Sequence, residues 1–189
     1  MTAVPALLGI STSLKPGPRS ASRALLHRAF GPLRGVYPNL QLLDLQEVEL
    51  PMFDGQLPAH HSDPEVGRVL SQVASAAAVL ISVPCYWSDV SGVFKNFVDV
   101  MCGPAYDLDP VETVFTDKPV SLIVVGADEV STREGSVAAC RIMESTGARL
   151  VGRPLLVSNP RQADALPDLP RRLVELGAVL AREALVSGR

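Results

Sequence analysis

Five short runs of nearly unbroken aliphatic residues, each followed by a stretch with helical spacing, limit what this chain can become. The runs are Ala3–Ile10, Leu40–Leu43, Val79–Val83, Val120–Val125 and a last one split across Leu150–Leu156. Between and after them lie Ser20–Phe30, Pro64–Ala76, Val93–Met101, Ser136–Ser145 and Pro170–Ser187, where apolar residues recur every three or four positions. A strand that is apolar on both faces needs cover on both faces, which a parallel sheet provides and a half-solvated antiparallel sheet does not. Right-handed crossovers then put helices on both sides, giving a doubly wound α/β layer. The expectation is a five-stranded parallel sheet of order 2-1-3-4-5 in a single domain over residues 1–189. Ligands of such a sheet bind outside the carboxyl ends of the strands, at the switch point between strands 1 and 3.

Several function classes drop out on composition. A chain of 189 residues with 47% hydrophobic and 20% charged residues can bury a core and is not disordered. A net charge of -3 with scattered arginines argues against a nucleic-acid partner, because phosphate affinity needs clustered cations. Cys85, Cys102 and Cys140 are odd in number and widely spaced, fitting neither a disulfide framework nor a zinc site, so a cytoplasmic setting is expected. The opening MTAVPALLGI has no basic leader and reads as a first strand rather than a signal peptide. The longest apolar run, over 73–83, is broken by Ser75 and Ser82 and falls short of the about 20 residues a bilayer requires, so no membrane partner is expected. His60, His61 and Asp63 on a Pro-flanked loop read as solvated surface, and no metal site is expected.

Three loops at the carboxyl ends of the strands carry the chemistry. The first contains Ser11, Thr12, Ser13, Lys15 and Arg19, and Ser20, Ala21 and Ser22 open the following helix. Hydroxyls and free N–H groups at a helix N-terminus suit a phosphate monoester, with Lys15 and Arg19 supplying charge; a serine there is equally a plain N-cap. The P-loop pattern G-x-x-x-x-G-K-[ST] and the dinucleotide pattern G-x-G-x-x-G are both absent. The second loop leaves its strand at Val83 and presents Pro84, Cys85, Tyr86, Trp87 and Ser88 before the apolar stripe Phe94, Phe97, Val98 and Met101. Two large aromatics at a turn suit a planar ligand resting on the backbone, or a cover for the core, or a subunit contact. The third loop opens at Gly126 and carries Asp128 and Glu129. A nucleophile elbow G-x-S-x-G is missing, which argues against a serine hydrolase.

Pro84-Cys85-Tyr86, Ser91-Gly92, Lys95-Asn96 and Asp99 together resemble the flavin-binding signature of the NADPH-dependent FMN reductase family, flavodoxin-like in fold. The first loop is similar to that family's Gly-Ser-x-Arg phosphate loop, "LPMFDGQ" at 50–56 to its Leu-Pro-x-Phe-Asp segment, and "STGARLVGRPLLV" to its last strand. The chain departs from the pattern at Thr12, where a Gly is usual, at Cys85, and at the acidic Asp128 and Glu129.

The resemblance implies that Ser13, Lys15, Ser20 and Ser22 surround the phosphate of FMN, with Ser11 and Ala21 in the same loop. It implies that Pro84, Cys85, Tyr86, Trp87 and Ser88 hold the ring and ribityl chain, with Gly126 on the third loop. The implied activity is NAD(P)H-dependent FMN oxidoreductase: hydride passes from NADPH or NADH to bound flavin and then to a flavin, quinone, azo or similar small-molecule electron acceptor. No side chain is required as a catalytic acid or base. A homodimer is implied as well, joined near Trp87, Val90, Val93 and Tyr106. The other readings are a flavodoxin-like electron carrier and a non-catalytic interaction module.

Overall fold

Each central strand sends alternate side chains into two separate cores, so no polar residue is needed at every second position. The computed structural model describes residues 4–161 and 168–187; Ala3 of the first run and 162–167 of the connection before the last helix lie outside them. Strands β1 (Ala6–Ser11), β3 (Ala76–Tyr86) and β5 (Pro119–Gly126) form the buried centre of the sheet. Leu8 and Ile10, Val79, Ile81 and Val83, and Val120, Leu122 and Val124 pack one core. Leu7, Ala78, Leu80, Ile123 and Val125 pack the other. Helices α2 (Pro64–Ser75), α3 (Gly92–Cys102) and α4 (Glu129–Ser145) cover the first face, and α1 (Ala21–Phe30) and α5 (Leu169–Ser187) the second. Phe94, Phe97 and Met101 of α3 are fully buried, each stabilising the fold by roughly 1.5–3 kcal/mol.

The sheet runs β2 (Leu40–Asp44), β1, β3, β5, with the last position shared by β6 (Arg149–Leu150) and β7 (Leu155–Ser158), both parallel to β5. This is the expected 2-1-3-4-5 order with its last strand in two pieces. Gly152, at φ +71°, and Pro154 interrupt that strand. Val151 N–H donates to Val120 O (2.8 Å) and Ser121 Oγ donates to Val151 O (2.7 Å), which carries the chain across the gap.

Two boundaries differ from the sequence expectation. The third strand does not end at Val83: Pro84, Cys85 and Tyr86 continue it, and Asp89–Val90 fold back on it as a short antiparallel strand, β4. Pro84 lacks an N–H, but its carbonyl accepts Ser91 N–H at 2.9 Å, so the hairpin closes without that donor. The fourth helix begins at Glu129 rather than near Ser136, because Asp128 caps it, its carboxylate accepting Ser131 N–H at 2.8 Å. Ser20, Asp63 and Ser91 cap α1, α2 and α3 in the same way.

Candidate functional site

β1 hands the chain to the first loop through Thr12. Its N–H and Oγ1 both donate to Ser82 O, at 3.2 and 2.9 Å, which pins the end of β1 to β3. The residue standing in place of the expected Gly therefore uses its hydroxyl as a brace. Beyond it the loop turns through Gly17–Arg19 into α1, where Ser20 Oγ accepts Arg23 N–H at 3.3 Å and lies 3.3 Å from Ser22 Oγ. Ser20 is thus an N-cap, and the first turn of α1 also presents two clustered hydroxyls. Arg23 is buried; its guanidinium donates to Ser13 O (2.9 Å), to Lys15 O (2.6 Å) and to both carboxylate oxygens of Asp44.

The second loop is a two-residue hairpin turn, with Trp87 at φ +54° and Ser88 at φ +63° between the paired residues Tyr86 and Asp89. A turn with both central residues left-handed normally uses Asn-Gly. Holding two side-chain-bearing residues there costs on the order of 1 kcal/mol each. Trp87 is 98% exposed, so it covers no part of the core of this chain. Asn96, from the resemblance motif, ties the 50–56 segment to α3: its Nδ2 donates to Pro51 O and its Oδ1 accepts Phe53 N–H, both at 2.9 Å. Lys95 and Asp99 pair with each other on the exposed side of α3.

Between these loops, at the carboxyl ends of β1, β3, β5 and β7, lies a cavity of about 960 Å³. Its walls include Ser13 and Lys15, Ser20, Ala21 and Ser22, Pro84, Cys85 and Tyr86, and Gly126. Three expected site residues stand off this wall. Ser11 is buried in β1 behind it, with an Oγ that has no hydrogen-bond partner among the described residues. Trp87 and Ser88 sit at the hairpin tip and do not line the cavity. Asp128 and Glu129 are not on the wall either, since the first caps α4 and the second lies in its first turn. The sequence reading missed Asn159, Pro160 and Arg161, which enter from the end of β7, and Arg28, two helical turns along α1 from Ala21. The Asn-Pro pair is a loop signal that could have located the first of these.

The wall is electrostatically one-sided. Lys15, Arg19, Arg28 and Arg161 line it, and no Asp or Glu does among the described residues, in a chain of net charge -3. Lys15 Nζ lies 5.2 Å from the centre of the Tyr86 ring, joining the first loop to the hairpin by a cation–π contact. Burial, with the Asp89 carboxylate nearby, pushes the Cys85 thiol up to about 11, so it is protonated and no nucleophile at neutral pH. The donor set is hydroxyls, cations and a capped helix N-terminus beside an apolar strip, with an orphaned Ser11 hydroxyl behind it. This fits a phosphate monoester carrying a flat apolar group, the chemistry of FMN. No group of three or more His, Cys, Asp or Glu residues able to hold a metal ion occurs among the described residues, and none of their helices is long and apolar enough to cross a membrane.

A model of the NADPH-dependent FMN reductase family matches residues 5–160. The chain is similar to an NAD(P)H-dependent FMN reductase of Pseudomonas aeruginosa, 26% identical over 176 residues, which is 89% of each chain. Among solved structures it resembles an apo NADH:FMN oxidoreductase at a TM-score of 0.72 and 14% identity, over 96% of this chain and 89% of that one. It also resembles a Streptococcus pneumonia flavodoxin at a TM-score of 0.61 and 13% identity, over 94% of this chain and 98% of that one. The backbone is therefore flavodoxin-like, and a likeness shared by an oxidoreductase and a flavodoxin speaks for the fold alone.

Proposed function

The chain belongs to the NADPH-dependent FMN reductase family, oxidoreductases that use FMN and NAD(P)H, and from that premise we propose which residues hold the flavin and what it reduces. Ser13, Lys15, Ser20 and Ser22 would hold the phosphate of FMN, and the strip Pro84–Tyr86 with Gly126 would receive its ring. Held there, FMN would supply the redox chemistry that links NAD(P)H to an electron acceptor. The protein's part is to orient and to balance charge: hydroxyls and cations meet the phosphate, and the apolar strip keeps water from one side. The observation that carries this reading is that the hydroxyl and cation cluster opens on the same cavity as Pro84–Tyr86.

The proposed acceptors are flat and electron-poor: quinones, azo compounds or free flavin. Support comes from the hairpin, where Tyr86 lies on the wall and keeps part of its ring exposed, and stacking is tolerant of ring identity. The test loads the purified protein with FMN and follows NADPH and NADH oxidation with each acceptor. Turnover with a neutral quinone is expected. FMN-loaded protein that oxidises neither nicotinamide in the presence of any of them would overturn the acceptor assignment.

A homodimer and a single domain spanning the chain complete the proposal. Trp87 and Tyr106 are large, 98% and 76% exposed, and flank α3 on either side in sequence, which suits a face buried by a second copy. Light scattering is expected to give about twice the chain mass of 20.1 kDa, and the mass of one chain would refute the dimer.

A further inference from the structure

We propose that Arg23 and Asp44 are positioning residues for the phosphate end of the flavin site, acting through the backbone of Ser13 and Lys15. The inference rests on the reading that Ser13, Lys15, Ser20 and Ser22 meet the phosphate. Neither Arg23 nor Asp44 lines the cavity. Arg23 is only 8% exposed although it lies in the first turn of a helix, and four acceptors engage its guanidinium: Ser13 O, Lys15 O and the two carboxylate oxygens of Asp44.

This arrangement decides which groups of the loop face the anion. A carbonyl oxygen turned into a phosphate site repels the ligand, and a loop this rich in proline and serine has several ways to turn one there. Arg23, itself off the wall, takes the Ser13 and Lys15 carbonyls, so both are engaged away from the cavity that the two residues line. Lys15 N–H donates to Ser13 Oγ at 3.3 Å, which fixes the same corner. Asp44 completes the device. It grips the guanidinium bidentately, a geometry that a lysine ammonium cannot copy, and it cancels the buried charge so that Arg23 shapes the site without adding attraction of its own. Asp44 is itself held at the end of β2, where Oδ1 also accepts Gln46 N–H at 3.1 Å.

FMN and riboflavin differ only in the phosphate, so their affinity ratio separates positioning from general support. The experiment titrates flavin fluorescence with each ligand against wild type, Arg23→Lys, Asp44→Asn and the double variant, with a thermal midpoint for each. The expected result is a riboflavin-to-FMN Kd ratio reduced about tenfold in either single variant, the usual scale for groups supporting a ligating shell. Riboflavin affinity should stay within about twofold, and the double variant should resemble the singles because one unit is lost once. An unchanged ratio in the folded variants overturns the inference and leaves the phosphate reading standing. Wild type that binds FMN no more tightly than riboflavin overturns the phosphate reading and this inference with it. Asp44→Asn keeps the side-chain shape and decides alone if Arg23→Lys does not fold. Loss of folding in both makes the pair merely structural and overturns the positioning role.

Discussion

Gly135 of α4 packs directly on Cys85 of β3: a methyl group on Gly135 would overlap Cys85 Sγ and stand 2.9 Å from its Cβ. The helix approaches the cavity strip at a point where any larger side chain would push Cys85 and its neighbours out of line. Gly135→Ala is therefore expected to destabilise the protein by roughly 1–3 kcal/mol through overpacking, a fall of several degrees in Tm. Cys85→Ala introduced alongside should recover part of it, because the overlapping sulfur is gone. A double-mutant cycle in thermal unfolding with no coupling between the two substitutions would show that they do not press on each other.

Ser20→Asp separates capping from ligand binding. Aspartate caps a helix as well as serine does, so the midpoint should stay within a degree or two (about 0.5 kcal/mol) of wild type. A carboxylate at the position proposed for the phosphate repels it, and FMN affinity should drop by about tenfold or more. Unchanged FMN affinity in a fluorescence titration would move the phosphate away from Ser20.

The hairpin turn carries strain at Trp87 and Ser88, whose φ values are +54° and +63°. Trp87→Asn with Ser88→Gly supplies the residues such a turn favours, and should stabilise the fold by about 1 kcal/mol. If Trp87 shapes the mouth of the site, the same variant should lose kcat/KM toward a bulky quinone. A stability gain without that loss would show that Trp87 serves something other than the acceptor.

Alkaline pH should weaken the fold through its buried thiols. Cys85 and Cys102 are pushed up to about 11 and about 12, burial being the main cause for each, from an ordinary value of 9.0. Above about 9 the unfolded chain releases these protons while the folded chain keeps them, so stability falls as pH rises from about 9 through 11. Burial of Lys118 lowers its value and acts in the opposite sense, so the thiol contribution is isolated by comparison with Cys85→Ala. That variant should show a shallower decline of Tm between about pH 8.5 and 10.5, a range that spans the ordinary thiol value. Parallel curves would mean that Cys85 ionises alike in both states.

The amino-acid sequence alone determined the alternating architecture, the two-sided burial of β1, β3 and β5, the strand order, and the three loops on which a site could form. These follow from periodicity and from residue types whose chemistry is local, such as the serines and Lys15 of the first loop. Tertiary structure decided what those residues face. Pro84–Tyr86 proved to be strand because Val125 of β5, far along the chain, pairs with Pro84, and Asp89–Val90 fold straight back to pair with Tyr86 and Cys85. Trp87 points to solvent because of the turn it occupies, while Asn159 and Arg161 reach the cavity only because β7 pairs beside β5. Arg23 reads in sequence as one more charge on a helix, and it becomes the anchor of the first loop only when β2 brings Asp44 to it across 21 residues of chain. Periodicity records which side of an element is buried. It holds no distance between elements, and a bidentate ion pair or a cavity wall is made of such distances.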